Sequence, residues 1–335
     1  MPPSAKVDHR MASARMMGSL LDSLNQITGV FDPTGRILRI PGVFYTPAFW
    51  VTICAFAKTN GVGPTDIYFD NSDTEGYASA IGLRSALGGE DEYPYERKHK
   101  GINYAPLVNL DCAEATDGAT STVNRCIRAT LNGVVAGRFV EDLCHVVGDL
   151  HDNVWSHGKA TGFSTAQKWR VPRRDDVWNF EFALADCGIG FLRELRRVGM
   201  EVSGDAAAID WCIQKGHSTK RLRPGDEWAQ QVPPDVAYNP LAGLSISENS
   251  GNYHLGLGLW NLVHLVRRFQ GSLWLATGES LLYLLEGNQR QYMKLRFPWQ
   301  GVAIACRFNT SRLTSPAEEE PDPRVEKIMR LLRGR

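Results

Sequence analysis

Between Arg138 and His157 the apolar residues Val140, Leu143, Val147, Leu150 and Val154 recur three and four apart, which predicts a helix with one buried stripe. Leu259, Leu262, Val263, Val266 and Phe269 repeat the pattern and predict a second helix over Leu259–Phe269. Another helix is expected at Ser121–Leu131. Trp178–Leu184 alternates strictly, the mark of a half-buried strand in an antiparallel or mixed sheet. Four further strand-like runs follow the second helix: Ser272–Ala276, Leu281–Leu285, Tyr292–Arg296 and Val302–Phe308. Upstream the signals are shorter. Helices are expected over Met11–Leu24, Pro47–Ala57 and Tyr77–Leu87, and strands over Asp66–Phe69 and Ala105–Leu110. Gly204–Tyr253 is long and irregular, with one helix near Ala206–Gln214, as in a lid.

These elements divide the chain into an N-terminal helical extension (1–37), a small α/β domain (38–114), an α+β domain (115–310) and a tail (311–335). The tail begins acidic and proline-rich and ends basic. The 335 residues carry 37 basic and 37 acidic side chains, a balance that argues against broad charge-driven binding to nucleic acid or membrane. Seven scattered cysteines without a Cys-x-x-Cys pair read as reduced thiols, not a disulfide framework or zinc site, which fits a cytoplasmic protein. No secretory signal and no apolar run of membrane-spanning length is seen.

Three segments carry candidate chemistry. In the first helix Asp149 and Asn153 stand four apart and share a face beside the apolar stripe. An Asn carbonyl is a hard ligand suited to Mg²⁺, and a carboxylate one turn earlier can take a proton from an attacking water. The alternating strand runs into Asp186-Cys187-Gly188-Ile189-Gly190, where a strand-end carboxylate can accept from an exocyclic amine and glycines allow close backbone approach. Gly256-Leu257-Gly258-Leu259 opens the second helix, where backbone N–H groups and the helix dipole can face a phosphate. Taken singly, each has a bland reading: a solvated helix face, a glycine turn, a helix start. No Gly-x-x-x-x-Gly-Lys-Ser/Thr occurs, which excludes a P-loop, and the third glycine of a dinucleotide fingerprint is absent at Asn261.

The order of these parts resembles the ATP-binding fold shared by gyrase, the heat-shock chaperone, histidine kinases and mismatch-repair ATPases, the GHKL superfamily. Asp149–His157 looks like its N box, Asp186, Gly188 and Gly190 match its G1 box, and Gly256, Gly258 and Leu259 its G2 box. Ala208-Ile209-Asp210 with Gly216-His217-Ser218-Thr219 looks like the start of the ATP lid of anti-sigma serine kinases, placing the lid at 204–255; Trp299-Gln300-Gly301-Val302 looks like the closing Gly-Thr strand.

The resemblance covers about Thr116–Asn309. It implies a two-layer α/β sandwich of the Bergerat type that binds ATP and Mg²⁺. Asn153 would serve as metal ligand, Asp149 as catalytic base, and Asp186 as reader of the adenine amine. Gly256–Leu259 would face the phosphates, with His157, Gly188 and Gly190 also at the nucleotide. Asp149 stands where the family usually has Glu, one methylene longer, and Val302 where it usually has Thr. A sensor histidine kinase also needs a phospho-acceptor His on a dimerisation helix; His9 is followed by Arg10, and His145 and His151 lie within or beside the N box, so a standard sensor histidine kinase is not expected. The implied roles are an ATPase or serine/threonine-kinase-like phosphotransferase in signalling or regulation, a non-catalytic ATP-dependent protein-binding switch, or a DNA-handling ATPase. A protein partner would meet the N-terminal region or the lid, and a homodimer is compatible with the resemblance.

Overall fold

A computed structural model describes residues 18–131, 133, 137–155, 160–171, 177–219, 257–285 and 289–313. The protein is α+β. Its main sheet has five strands in the order β4-β5-β6-β8-β7, namely β4 (Val108–Leu110), β5 (Gly162–Arg170), β6 (Trp178–Asp186), β8 (Arg290–Asn309) and β7 (Ser272–Leu284), and every neighbouring pair is antiparallel. A three-stranded sheet in the order β1-β2-β3 holds β1 (Phe31–Asp32), β2 (Ile37–Ile40) and β3 (Ile67–Phe69).

One face of the main sheet is covered by α5 (Ala113–Leu131), α6 (Gly137–Asn153) and α9 (Gly258–Arg268). The predicted stripes are the contact surfaces: Leu143, Val147, Leu150 and Val154 of α6 and its following turn join Leu262, Val263 and Val266 of α9 over Phe182, Leu184 and Ile304 of the sheet. At roughly 1.5–3 kcal/mol per fully buried aliphatic side chain, this layer is the largest apolar contribution on that side.

The other face is also buried. Here α1 (Leu20–Val30) and α2 (Pro47–Asn60) lie over Phe163, Ala183, Ala185, Trp274, Ala303 and Ala305. This changes the reading of Trp178–Leu184. Its alternation separates two apolar layers, not core from water: Phe180, Phe182 and Leu184 face the α6–α9 side, whereas Ala183 and Ala185 face α2. Alanines on that side let α2 approach closely. The one acid among them, Glu181, is fully buried. Its carboxylate accepts from the Ala48 N–H at the start of α2 (2.9 Å) and from Arg307 Nε (2.8 Å). The Thr46 side chain makes no capping bond, so a carboxylate from the sheet supplies the anionic partner that a helix N-terminus favours. Arg307 in turn lies between the rings of Trp169 (5.2 Å) and Trp274 (5.0 Å).

Other element limits moved for local reasons. The first helix begins at Leu20, where Ser19 caps the Asp22 N–H at 3.1 Å, and continues to Val30; residues 11–17 lie outside the described residues. The helical spacing of Tyr77–Leu87 is split into α3 (Ser72–Ala80) and α4 (Leu83–Ala86), because Gly82 adopts a left-handed conformation between them. The four C-terminal runs are two long strands. Register shifts at Thr277, Gly278 and Ser280 absorb the mismatch, so the polar interruptions are irregularities within a hairpin rather than ends of strands. The helix expected near Ala206–Gln214 is α8 (Asp205–Cys212); a short α7 (Phe191–Arg197) precedes it.

Candidate functional site

The three chemical segments meet at one cavity. Asp149 and Asn153 on α6, Asp186, Gly188 and Gly190 at the end of β6, and Leu257, Gly258 and Leu259 at the start of α9 all line it. Leu150, Val154, Leu184, Val302 and Ile304 make it apolar where it meets the sheet. Gly256 and His157 lie outside the described residues.

Asp186 sits at the floor. Its Oδ1 accepts from the backbone N–H of Gly188 (2.8 Å) and of Val302 (3.2 Å), and among the described residues no donor reaches Oδ2. Burial pushes its carboxyl up to about 6, against the pull of those two N–H bonds. A buried carboxylate with one oxygen saturated and the other unpartnered is suited to a ligand that donates a hydrogen bond. Position 302 lacks the hydroxyl of a threonine, yet its backbone N–H still orients Asp186.

Gly301 holds the strand against this carboxylate. Its φ is +86°, and a Cβ there would lie 2.5 Å from Asp186 Oδ1 and closer still to the Asp186 carbonyl oxygen. Gly301→Ala therefore combines left-handed strain with a clash into backbone. It is expected to cost about 3 kcal/mol or more, read as a lower urea midpoint at unchanged slope.

On the opposite wall α9 begins against α6. A Cβ on Gly258 would lie 2.8 Å from Asp149 Cβ and 3.6 Å from Asn153 Nδ2, so only glycine permits this approach. The helix start carries no side-chain cap. Among the described residues nothing caps its first N–H groups, and the dipole there favours an anion. The Asn153 amide makes no hydrogen bond among the described residues.

The third wall was partly missed from sequence. Glu194 on α7 lines the cavity, pairs with Arg197 (2.7 Å) and accepts from Thr219 Oγ1 (2.9 Å), tying α7 to the segment that follows α8. Trp211, Cys212, His217 and Ser218 complete that wall. The only available signal was an acid four residues after the last glycine of the turn, which is too common to single out. Thr277 was also missed. From β7 its hydroxyl donates to the Gly301 carbonyl (2.8 Å) and accepts from the Phe191 N–H (3.3 Å), joining the glycine turn to the closing strand.

His151, on the far side of α6, is fully buried between Thr120 Oγ1 and Ser164 Oγ, each 2.8 Å away, and burial holds its imidazole neutral, down to about 3. Among the described residues no group of three or more His, Cys, Asp or Glu side chains could hold a metal ion alone. No helix of the described residues is long and apolar enough to cross a membrane. No protein-family model matches this chain, and none of the curated proteins matches it.

Proposed function

We propose that this cavity binds ATP with Mg²⁺ in the manner of the GHKL superfamily, with residues 115–310 forming a two-layer Bergerat-type sandwich, and that binding serves a signalling or regulatory role. One observation supports the reading: three segments far apart in sequence, whose chemistry suits different parts of ATP, line one cavity. Asp186 Oδ2 offers an acceptor for an exocyclic amine, the apolar floor of Leu184 and Ile304 suits a base, and the uncapped start of α9 suits phosphates.

The residues present fit Mg²⁺ as a companion of phosphate. The Asn153 amide, which makes no hydrogen bond among the described residues, would provide one hard oxygen, leaving the rest of the shell to phosphates and water. When bound, the ion supplies charge neutralisation at the phosphates. Asp149 lies one helical turn from Asn153 on the same wall, where a carboxylate orients and deprotonates a water. Its side chain is one methylene shorter than the glutamate usual in the family. A displacement near 1 Å costs up to about 10²-fold in rate, so turnover is expected to be slow while binding is retained.

Asn153→Ala should weaken Mg-ATP binding about tenfold while leaving metal-free nucleotide binding nearly unchanged, measured by titration calorimetry with and without Mg²⁺. Asp149→Asn should leave affinity within about threefold and abolish steady phosphate release. Unchanged Mg-ATP affinity in Asn153→Ala sinks the site assignment. Phosphate release that persists in Asp149→Asn removes the proposed base.

A further inference from the structure

A second depression lies on the outer side of the cavity wall, along α9. It is lined by Lys215 from the turn after α8, by Trp260, His264 and Arg267 on one face of α9, and by Arg290 at the start of β8. Its one acid, Asp210, is already engaged, taking Arg290 Nη1 at 2.7 Å and the Tyr292 hydroxyl at 2.6 Å on the same oxygen. Lys215 and Arg267 are exposed and have no carboxylate partner among the described residues. The Trp260 ring stacks on His264 at 5.1 Å and 10°, with Lys215 Nζ 5.0 Å from its centroid. Cations from three elements thus surround a groove with an aromatic and aliphatic floor of Trp260 and Val263. From Trp260 to Arg267 it runs roughly 10 Å along the helix. Its length suits an extended chain bearing several carboxylates better than a compact anion.

The chain itself contains such a segment. Glu318-Glu319-Glu320-Pro321-Asp322 follows Leu313 by five residues, and among the described residues Leu313 is the last. Leu313 is buried in the same core as Phe269, which follows Arg268 at the C-terminal end of α9. Five residues span up to about 17 Å, which bounds how far the first glutamate lies from Leu313. Each exposed ion pair contributes little by itself. Tethering compensates, since a short linker holds the acids at millimolar effective concentration.

We propose that the groove formed by Lys215, Trp260, His264, Arg267 and Arg290 is the docking site for the acidic segment 318–322 of the same chain. The contact would join α9 to the turn that leads into His217–Thr219, so it bears on the wall of the nucleotide cavity from outside. The proposal stands independently of what that cavity binds.

Zero-length carbodiimide coupling of the full-length protein, mapped by mass spectrometry, tests it. The amine and carboxylate must touch to react. The Lys294–Glu279 pair, 3.1 Å apart, serves as an internal positive control. The expected result is a Lys215 cross-link to Glu318, Glu319 or Glu320 within one molecule. It should drop at least fivefold in Arg267→Glu and in 1 M salt, where the Debye length is about 3 Å. A triple Glu318/Glu319/Glu320→Gln variant should remove it. Absence of the Lys215 cross-link while Lys294–Glu279 couples normally overturns the proposal. So does a cross-link found only between differently isotope-labelled copies, which would assign the groove to a neighbouring chain. A yield unchanged in Arg267→Glu would assign the contact to chance proximity and overturn the groove as its site.

Discussion

Asp186→Asn is expected to give a protein that is more stable above pH 6 and that binds ATP, the proposed ligand, more weakly. The two effects share a cause. Burial raises the folded carboxyl from 3.8 to about 6, so between those values the native state holds more protons than the unfolded chain. Stability conferred by the protonated form is present below pH 4 and is lost as pH rises through 6. Above that the ionised side chain costs the folded state up to about 3 kcal/mol. Asparagine keeps an oxygen for the Gly188 and Val302 N–H groups and carries no charge, so it avoids this cost. Urea unfolding at pH 8 should show the variant ahead of the wild type, with the gap closing toward pH 4. A variant less stable at pH 8 would mean that the ionised carboxyl is favoured by the fold.

The same substitution turns an amide N–H toward the ligand's donor in place of Oδ2. Leaving that donor unpaired should weaken ATP binding about 10–100-fold. Wild-type affinity should fall below pH 6 as well. With Oδ1 taken by two N–H donors, the proton settles on Oδ2, which then donates where it must accept. Tighter binding below pH 6 would contradict this polarity.

The largest loss of stability is expected from Arg307→Ala. It leaves the Glu181 carboxylate fully buried with only the Ala48 N–H, and it removes the cation held between Trp169 and Trp274. Breaking a buried pair from one side costs about 3–5 kcal/mol, because the remaining charge stays desolvated. That is a large share of the 5–15 kcal/mol typical of whole-protein stability, and a melting temperature lower by on the order of 10 °C is expected. The double variant Glu181→Gln/Arg307→Ala should recover at least half the loss, since the amide oxygen still accepts from Ala48 without a charge to desolvate. Equal losses in the single and double variants would show that Arg307 acts through the tryptophan rings and not through Glu181.

The site was more legible in the sequence than the layers around it. Asp149, Asn153, Asp186 and Gly258 line one cavity, and helix and strand periodicity fix where each points, while their order along the chain added what no single motif carried. His151 shows the limit. Its spacing places it on α6, but nothing local reveals that Thr120 and Ser164 bury it. Alternation in β6 reported two unlike faces, and a face of alanines and one glutamate reads as solvent-facing until the covering helix is known. That cover comes from α2, more than 100 residues upstream, a pairing that no local pattern encodes. Thr277 and Glu194 matter through partners equally remote in sequence.

Arg307 also donates to the Gly18 carbonyl, a hydrogen bond that joins residues 289 positions apart. The chain is made from its N-terminus, so α1 and α2 leave the ribosome long before β8, the strand they share with β6 and β7, has been translated. The apolar face of α1, with Leu20 and Ile27, must wait for β8 before the sheet can cover it, whereas α2 already meets β5 and β6. Closure of so long a loop is entropically costly and slow, which makes the interval of synthesis before Arg307 emerges the moment at which a nascent-chain chaperone has the most surface to protect.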